Sequence, residues 1–332
     1  MEKLKIGITH GDMNGTSYEM ILKVLEDNRL LDICIPIVYG SPKAAAYHRK
    51  ALELNGTMNL IAQADEAGDK RPNIVNCSPE EPKVELGQPS EQAGQAAFEA
   101  IERATRDLKE EKIDAVVTLP VNGQVMPKGL FFGMTNHMEQ IFARKDDALD
   151  MLLCDRARVA IATGDTPFGK VADKLTAEAL TGKLLTLNRT LTRDFGIRKP
   201  RIAVLALNPD GQGKEEDETL RPAIQQAVAK GVVAIGPVAA DQLFSADGEF
   251  LKYDAVMALY HDQGAPAFNM LAGNEGVRYT AGLSIVHTAP AVRLDYAAAG
   301  RNKTDENALR QAIYAAVDIT ARRRQADGQD NL

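Results

Sequence analysis

Short apolar or β-branched runs alternate with segments of helical period along the chain, and this alternation constrains the fold more than any other feature. Each run has the length of a buried strand and is followed by enough residues for a helix to cross back over a sheet. The sequence therefore predicts an α/β fold. The predicted strands are Leu4–Thr9 and residues 35–39, 113–119, 158–163, 201–207 and 255–260, and the predicted helices include Ser17–Glu26 and residues 42–55, 91–111 and 304–324.

Five of the six predicted strands end in a short polar phrase, namely THGD, TLPVN, TGD, LNPDG and YHDQG. In open α/β sheets, ligands bind beyond the carboxyl ends of the strands. We therefore expect the five phrases to contribute to one site. Residues 64–90, rich in Pro, Asp and Glu, are predicted to form an irregular connection within the first domain.

Composition excludes several classes of protein. The 332 residues include 39 Lys and Arg against 46 Asp and Glu, a net charge of −7, and no basic block indicates a nucleic-acid-binding face. No apolar run approaches the roughly 20 residues needed to span a bilayer, so no membrane association is expected. Three widely spaced cysteines form neither a disulfide framework nor a CxxC pair, which favours a reducing cytoplasm.

Nucleotide-binding fingerprints are weak in this chain. Residues 164–170 fit G-x-x-x-x-G-K, but Val171 stands where a hydroxyl should bind Mg²⁺, and Pro167 removes an amide that would contact phosphate. No G-x-G-x-x-G follows a predicted strand. Neither a P-loop nor a standard dinucleotide-binding turn is predicted.

The phrase YHDQG places His261 beside Asp262 at the end of a predicted strand. Asp262 is a candidate general acid or base, or a group that orients the imidazole. Asp165 and Asp210 follow two other strands, and each has an ordinary alternative role. Asp165 could cap a helix, and Asp210 lies in N-P-D-G, a common turn composition.

Four further polar residues are candidates, and three of them have two interpretations each. His137 and Glu139 follow a Gly-rich loop and are predicted to open a helix, where polar groups either bind an anion or cap the helix. Asp12 could either form a turn or contact a ligand. Asn122 is positioned to present an amide to a substrate at its strand end.

These phrases, in this order and at these spacings, resemble the 4-hydroxythreonine-4-phosphate dehydrogenase family of vitamin B6 biosynthesis. The resemblance covers essentially the whole chain: GD..G..YE near the start, T.P.N at 118–122, H.E at 137–139, LNP at 207–209, YHDQG at 260–264 and GV.YTAGL.IV.T at 276–288. The GDMNGTSYE opening and the GSPKAAAYHRKAL helix are similar to the branch found in Bacteroidetes-type bacteria.

The resemblance implies a fold similar to isocitrate and isopropylmalate dehydrogenases, with two α/β domains and the active site in the cleft between them. The expected first domain comprises residues 1–125 and 287–332. The expected second domain, 126–286, carries the contacts of a homodimer.

The resemblance also implies NAD-dependent oxidation of a phosphorylated hydroxy-acid, followed by β-decarboxylation with the help of a divalent metal. The family's three metal-binding histidines align with Asp165, Asp210 and His261, so two carboxylates and one imidazole are the predicted ligands. This donor set favours Mg²⁺ or Mn²⁺ over Zn²⁺.

The other family roles are assigned to matching positions of this chain. The predicted catalytic residues are Asp262 and His137, the predicted contacts to an anionic substrate are His137, Asn269, Arg278 and His287, and the predicted NAD contacts are Asp12, Asn122 and Glu139.

Several family residues are replaced, which leaves two interpretations open. The usual lysine after Asn122 is Gly123, and the family's DHGT phrase is absent from residues 291–294. Either the chain is a dehydrogenase with an altered acidic hydroxy-substrate, or it is a paralogue without dehydrogenase activity that keeps the fold to bind a ligand. We favour the dehydrogenase. The sequence leaves open the substrate, the metal and the choice between NAD and NADP.

Overall fold

The computed structural model describes residues 3–78, 80–143 and 148–329. Its strands are β1 (Leu4–Thr9), β2 (Cys34–Gly40), β3 (Asn59–Ile61), β4 (Asn73–Asn76), β5 (Ala115–Thr118), β6 (Leu149–Leu153), β7 (Arg158–Ile161), β8 (Arg201–Leu205), β9 (Val233–Val238), β10 (Ala255–Ala258), β11 (Val277–Ala281) and β12 (His287–Pro290). Its α-helices are α1 (Ser17–Glu26), α2 (Leu30–Ile33), α3 (Pro42–Ala51), α4 (Glu91–Lys109), α5 (Met134–Phe142), α6 (Val171–Lys174), α7 (Ala177–Arg193), α8 (Arg221–Ala229), α9 (Ala240–Leu243), α10 (His261–Ala272) and α11 (Asn307–Gln329). A π-helical turn, Glu216–Leu220, leads into α8.

The first of two units, Met1–His137 with Ile285–Thr320, is built on a parallel sheet. Its strands lie in the order β3-β4-β2-β1-β5-β12, and each neighbouring pair is parallel. Every residue of β2 is buried. Such strands read as apolar runs because helices cover both faces of a parallel sheet.

Capped helices flank this sheet. Ser41 and Ser90 accept hydrogen bonds from backbone amides in the first turns of α3 and α4, at 3.2 Å each. The buried face of α4 is rich in alanine. A Cβ atom on Gly94 would collide with the carbonyl of Val125, so only glycine permits this close approach.

The second unit, Met138–Ser284 with Ala321–Leu332, has a mixed sheet. Its strand order is β11-β6-β7-β10-β8-β9. The pairs β11–β6 and β6–β7 are antiparallel, and β7, β10, β8 and β9 run parallel. Among the described residues of the whole chain, no helix combines the length and the apolar character that crossing a bilayer requires.

All six predicted strands are present, and four of them are shorter than predicted. The four are β5, β7, β8 and β10, and the last three of these end before their polar phrases begin. The prediction of an irregular connection over 64–90 was wrong in part, because β4 lies within it and joins the sheet beside β2. The Ile74–Val75 core of β4 is too short to give a periodic signal.

The two units differ from the predicted domain boundaries in three places, the smallest being residues 285–286, which belong to the first unit. Residues 126–137 belong to the first unit, where the rings of Phe131 and Phe98 lie 5.9 and 6.1 Å from that of His137. Residues 321–332 belong to the second unit. Dimer contacts within the second unit stay a prediction.

A buried ion pair attaches the last turns of α11 to the end of α7. The Asp194 carboxylate accepts hydrogen bonds from Arg323 Nε at 2.7 Å, from Arg323 Nη2 at 3.0 Å and from Tyr279 Oη at 2.5 Å. Arg323 also donates to the Tyr279 hydroxyl at 2.8 Å. All three side chains are buried. Loss of one partner would leave the opposite charge buried and uncompensated.

We expect Arg323→Met to lower the free energy of unfolding by about 3–5 kcal/mol, because Asp194 would lose its counter-charge inside the unit. Urea denaturation measures this loss. Arg322→Met is the matched control, since Arg322 is the exposed neighbour on the same helix and should cost less than about 0.5 kcal/mol. Equal losses in the two variants would contradict the assignment.

The rings of His10, Tyr18 and His48 stack in the core of the first unit, with neighbouring centroids 5.2 Å apart. His10 is fully buried, and its Nε2 lies 3.2 Å from the Ala96 carbonyl oxygen. Burial lowers the pKa of His10 from 6.5 to about 4; the Ala96 contact opposes this shift and His48 adds to it. The folded chain therefore contains neutral His10 at neutral pH.

We expect acid to destabilise the fold between pH 6.5 and pH 4, because in this window the unfolded chain protonates His10 and the folded chain does not. The stabilisation is complete above pH 6.5, is lost as the pH falls towards 4, and amounts to about 3 kcal/mol. In His10→Gln the unfolding free energy, measured by denaturant titration at several pH values, should depend less on pH. An unchanged slope in His10→Gln would refute the prediction.

Candidate functional site

Three neighbouring parallel strands of the second unit, β7, β10 and β8, end beside one another. Ala258 of β10 pairs with Ile161 of β7, and Met257 pairs with Val204 of β8. Because neighbouring strands lie about 4.8 Å apart, the segments that follow them leave the sheet side by side. These segments contain the three predicted metal ligands, Asp165, His261 and Asp210 in sheet order.

Side-chain hydrogen bonds join the three strands beyond their last ladder pairs. The Thr163 hydroxyl donates to the Leu259 carbonyl at 2.9 Å, which links the ends of β7 and β10. The Gln263 amide accepts from Leu259 N at 2.8 Å and donates to the Ala206 carbonyl at 2.6 Å, which links β10 to β8. These hydrogen bonds therefore fix the backbone where the polar phrases leave the sheet. Sequence reasoning did not assign this role to Gln263.

His261 and Asp262 lie in direct contact at the start of α10. His261 Nδ1 is 2.8 Å from Asp262 Oδ1, with the side chains 31% and 83% exposed. A carboxylate at Nδ1 orients the ring and leaves Nε2 as the nitrogen that can bind a cation. The structure brings together this predicted pair.

Asp165 lies exposed in the turn after β7. Gly164 has a positive φ of 56°, which glycine adopts easily, and the Thr166 hydroxyl donates to the Thr163 carbonyl at 2.5 Å. The 3₁₀ turn Phe168–Lys170 follows Pro167, and no side chain caps it. The alternative role of Asp165 as a helix cap is thus not observed.

Asp210 occupies the turn that N-P-D-G predicts. Gly211 N donates to the Asn208 carbonyl at 3.0 Å, and Gly211 has a φ of 70°. Gln212 N donates to Asp210 Oδ1 at 3.2 Å, and the Asp210 side chain is exposed. Asp210 therefore forms the predicted turn, and its carboxylate is also exposed to solvent.

Within the described residues of this one chain, no three His, Cys, Asp or Glu side chains form a group that could hold a metal ion. Asp165, Asp210 and His261 share one edge of the second unit's sheet. Their joint binding of a metal stays a prediction.

The other predicted residues of the second unit lie on separate elements. Asn269 is exposed on α10, eight residues after His261 and thus about 12 Å along the helix axis. Arg278 is exposed on β11, two strands from β7 in the sheet order. Glu139 Oε1 accepts a hydrogen bond from Ala148 N at 3.3 Å.

The first unit has its own group of polar strand ends. Asp12, Asn122 and Tyr296 follow the neighbouring strands β1, β5 and β12. The Tyr296 hydroxyl donates to Asp12 Oδ2 at 2.7 Å and accepts from Asn122 Nδ2 at 3.0 Å. Burial and then Asp12 raise the pKa of Tyr296 to about 12. No sequence signal identified Tyr296, because its partners lie far away along the chain.

Two predicted histidines lie inside the first unit. His137 Nε2 is 3.1 Å from Glu102 Oε1, outside hydrogen-bond geometry; burial lowers the pKa of His137, and Glu102 opposes this. His287 Nε2 lies 2.8 Å from Thr118 Oγ1, and burial followed by His137 lowers the pKa of His287 to about 4. His137 lies in the first turn of α5, which begins at Met134, in agreement with the expectation that it helps to open a helix. Substrate contact by either imidazole stays a prediction.

Comparison with known proteins gives consistent matches along the chain. Residues 32–316 match the family model described as pyridoxal phosphate biosynthetic protein PdxA. The 4-hydroxythreonine-4-phosphate dehydrogenase of Bacteroides thetaiotaomicron is 43% identical over 324 residues, covering 96% of this chain and 89% of that protein. A protein of Oceanobacillus iheyensis, named provisionally as a D-threonate 4-phosphate dehydrogenase, is 30% identical over 330 residues, covering 95% and 97%.

Solved structures agree with this assignment. The 4-hydroxythreonine-4-phosphate dehydrogenase of Klebsiella pneumoniae matches with a TM-score of 0.80 at 26% identity, covering 96% of this chain and 100% of that one. A terephthalate 1,2-cis-dihydrodiol dehydrogenase of Burkholderia xenovorans LB400 shares the fold, with a TM-score of 0.61 at 19% identity and coverage of 96% and 98%. The predicted α/β fold class and the likeness to a Bacteroidetes-type branch are confirmed. Since the family model spans residues 32–316, this chain belongs to the PdxA family of pyridoxal phosphate biosynthetic proteins.

Proposed function

We propose that this chain is an NAD-dependent dehydrogenase that oxidises a phosphorylated hydroxy-acid and then releases CO₂, with a divalent cation bound by Asp165, Asp210 and His261. The main support for the proposal is that these residues follow three neighbouring parallel strands, whose ends are joined by side-chain hydrogen bonds. Relatives named for 4-hydroxythreonine-4-phosphate and for D-threonate 4-phosphate support a phosphorylated substrate.

The donor chemistry fits a hard divalent cation. Asp165 and Asp210 are exposed carboxylates, and the contact of His261 Nδ1 with Asp262 leaves Nε2 for coordination. Two oxygen donors and one imidazole favour Mg²⁺ or Mn²⁺ over Zn²⁺. When bound, the cation would polarise the reacting hydroxyl and stabilise the negative charge left after CO₂ departs.

The remaining roles are assigned to predicted residues on other elements. We assign Asp262 as the general base, because its largely exposed carboxylate contacts His261 through only one oxygen. Arg278 and Asn269 are assigned to the anionic end of the substrate, where a guanidinium can bind two oxygens at once. His137 and His287 of the first unit keep the substrate role that the family resemblance implies, and burial lowers the pKa of each.

NAD is the proposed hydride acceptor, with contacts at Asp12, Asn122 and Glu139. Both Asp12 oxygens already accept hydrogen bonds, from Asn14 N and from Tyr296, and Asn122 donates to the same Tyr296 hydroxyl. Each Asp12 oxygen keeps a second lone pair and Asn122 Nδ2 keeps a second N–H, so both side chains can form further hydrogen bonds. No step of the reaction is assigned to them.

We also propose that the enzyme is a cytoplasmic homodimer with its contacts in the second unit. Apolar side chains exposed there support this arrangement. Met270 on α10 is 87% exposed, and Val233 and Ile235 on edge strand β9 are 40% and 37% exposed. Edge strands with apolar side chains are typical pairing surfaces.

The reaction is tested by NAD reduction across a panel of phosphorylated and dicarboxylic hydroxy-acids in the presence of Mn²⁺. We expect a phosphorylated hydroxy-acid to give NADH and CO₂ in equal amounts. Turnover of 4-hydroxythreonine-4-phosphate should be slow, because Gly123 replaces the family lysine. NADP is the matched control for NAD. No reduction of either nucleotide across the panel would instead support a ligand-binding paralogue without dehydrogenase activity.

Metal binding is tested on the same protein by calorimetric titration with Mn²⁺. We expect Asp210→Asn and His261→Gln each to weaken Mn²⁺ binding at least about tenfold, because each removes a ligand. Asp241→Asn, an exposed carboxylate in the same unit, should bind as the wild type does. Light scattering on these samples gives the mass of the binding species and thus tests the dimer. Wild-type protein that takes up no Mn²⁺ at saturation would refute the site.

A further inference from the structure

We propose that Glu216 is a positioning residue whose buried carboxylate fixes the turn that presents Asp210. This inference rests on the proposed metal site, in which Asp210 is a ligand. Glu216 precedes α8 and reaches back to the carboxyl end of β8. It therefore closes residues 207–215 into a loop held at both ends.

Three short hydrogen bonds carry the assignment. Glu216 Oε1 accepts from Leu207 N at 2.8 Å and from Asn208 N at 2.7 Å, and Oε2 accepts from Asn208 Nδ2 at 2.6 Å. Hydrogen bonds to an ionised acceptor are roughly twice as strong as neutral ones. The carboxylate thus immobilises both the backbone and the side chain of Asn208, which lies two positions before Asp210.

The charge of Glu216 is maintained although the side chain is buried. Its residue is 0% exposed, and burial raises its pKa, but the hydrogen bonds from Asn208 and Leu207 outweigh burial and leave the pKa lowered. An unpaired buried carboxylate would cost several kcal/mol. The folded loop compensates this cost through its own donors, so the loop conformation and the carboxylate depend on each other.

The rest of the loop is shaped to this carboxylate. A Cβ atom on Gly213 would lie 2.6 Å from Asn208 Nδ2 and 3.0 Å from Glu216 Oε2, and Gly213 has a φ of 144°. Arg221 Nη2 donates to the Gly211 carbonyl at 3.2 Å on the other side of the turn. The chain therefore returns from Asp210 in close contact with Glu216, and glycine is required for that return.

The backbone at Glu216 is itself unusual. Glu216 is the first residue of the π-helical turn Glu216–Leu220. Single π turns are uncommon and occur frequently at functional sites. In contrast to the bound Asn208, the Asp210 carboxylate in the middle of the loop points outward and uses only Oδ1 within the turn. A ligand on a fixed turn loses less conformational entropy on binding than one on a mobile loop.

The test compares Glu216→Ala, Glu216→Gln and the matched control Glu218→Ala by Mn²⁺ titration and by hydrogen exchange. We expect Glu216→Ala to weaken Mn²⁺ binding about tenfold or more and to speed amide exchange at Leu207 and Asn208. Glu216→Gln should recover most of the affinity, since its amide oxygen can accept both backbone N–H groups and Asn208 can rotate its own amide. Glu218→Ala removes an exposed charge from the same turn and should change neither measurement.

Each outcome decides one claim. Wild-type Mn²⁺ affinity in folded Glu216→Ala would overturn the positioning role, as would unchanged exchange at Leu207 and Asn208. If Glu216→Ala does not fold, Glu216→Asp, one methylene too short to reach all three donors, is expected to give the same two effects, and wild-type behaviour would overturn the role. If the wild type binds no Mn²⁺, or Asp210→Asn binds it normally, the metal site fails, and the exchange data alone then decide whether Glu216 fixes the turn.

Discussion

The parallel pairing of β7, β10 and β8 is the constraint on which the candidate site depends. Ladder hydrogen bonds fix where each strand ends, and two side chains, Thr163 and Gln263, extend that linkage to the first residues beyond the sheet. The polar phrases can therefore differ in composition while their starting points stay fixed. The strands and their hydrogen-bonded ends are rigid, and the polar phrases that follow them can vary. This difference explains how the PdxA fold persists in a chain whose site residues depart from the family pattern.

The departures are chemically coherent in the second unit. Asp165 and Asp210 stand where the family resemblance predicts metal ligands, and both side chains are carboxylates, which can bind a metal. In the first unit the position of the family lysine is Gly123, and a Cβ atom there would meet nothing within 4 Å. The loss thus leaves space beside Asn122 rather than a repacked core.

Local patterns predicted the local structure. The bounds of β1 and α1 agree with the sequence prediction, because an apolar run and a helical period are properties of consecutive residues. Contacts between distant positions were not predictable. Tyr296 and Asp12 are 284 positions apart, and β6 and β11 pair only through the tertiary fold. The candidate ligands were predicted through the family resemblance of the strand-end phrases, whereas the buried Glu216 looks like any acidic residue in a charged run.

The hydroxyl of Tyr296 satisfies Asp12 and Asn122 without any outside molecule. The phenol is in effect an intramolecular competitor at the first unit's strand ends. Any molecule that binds through those two side chains in place of the phenol would give up these bonds, so its measured affinity would be a difference between two sets of contacts and not the strength of one.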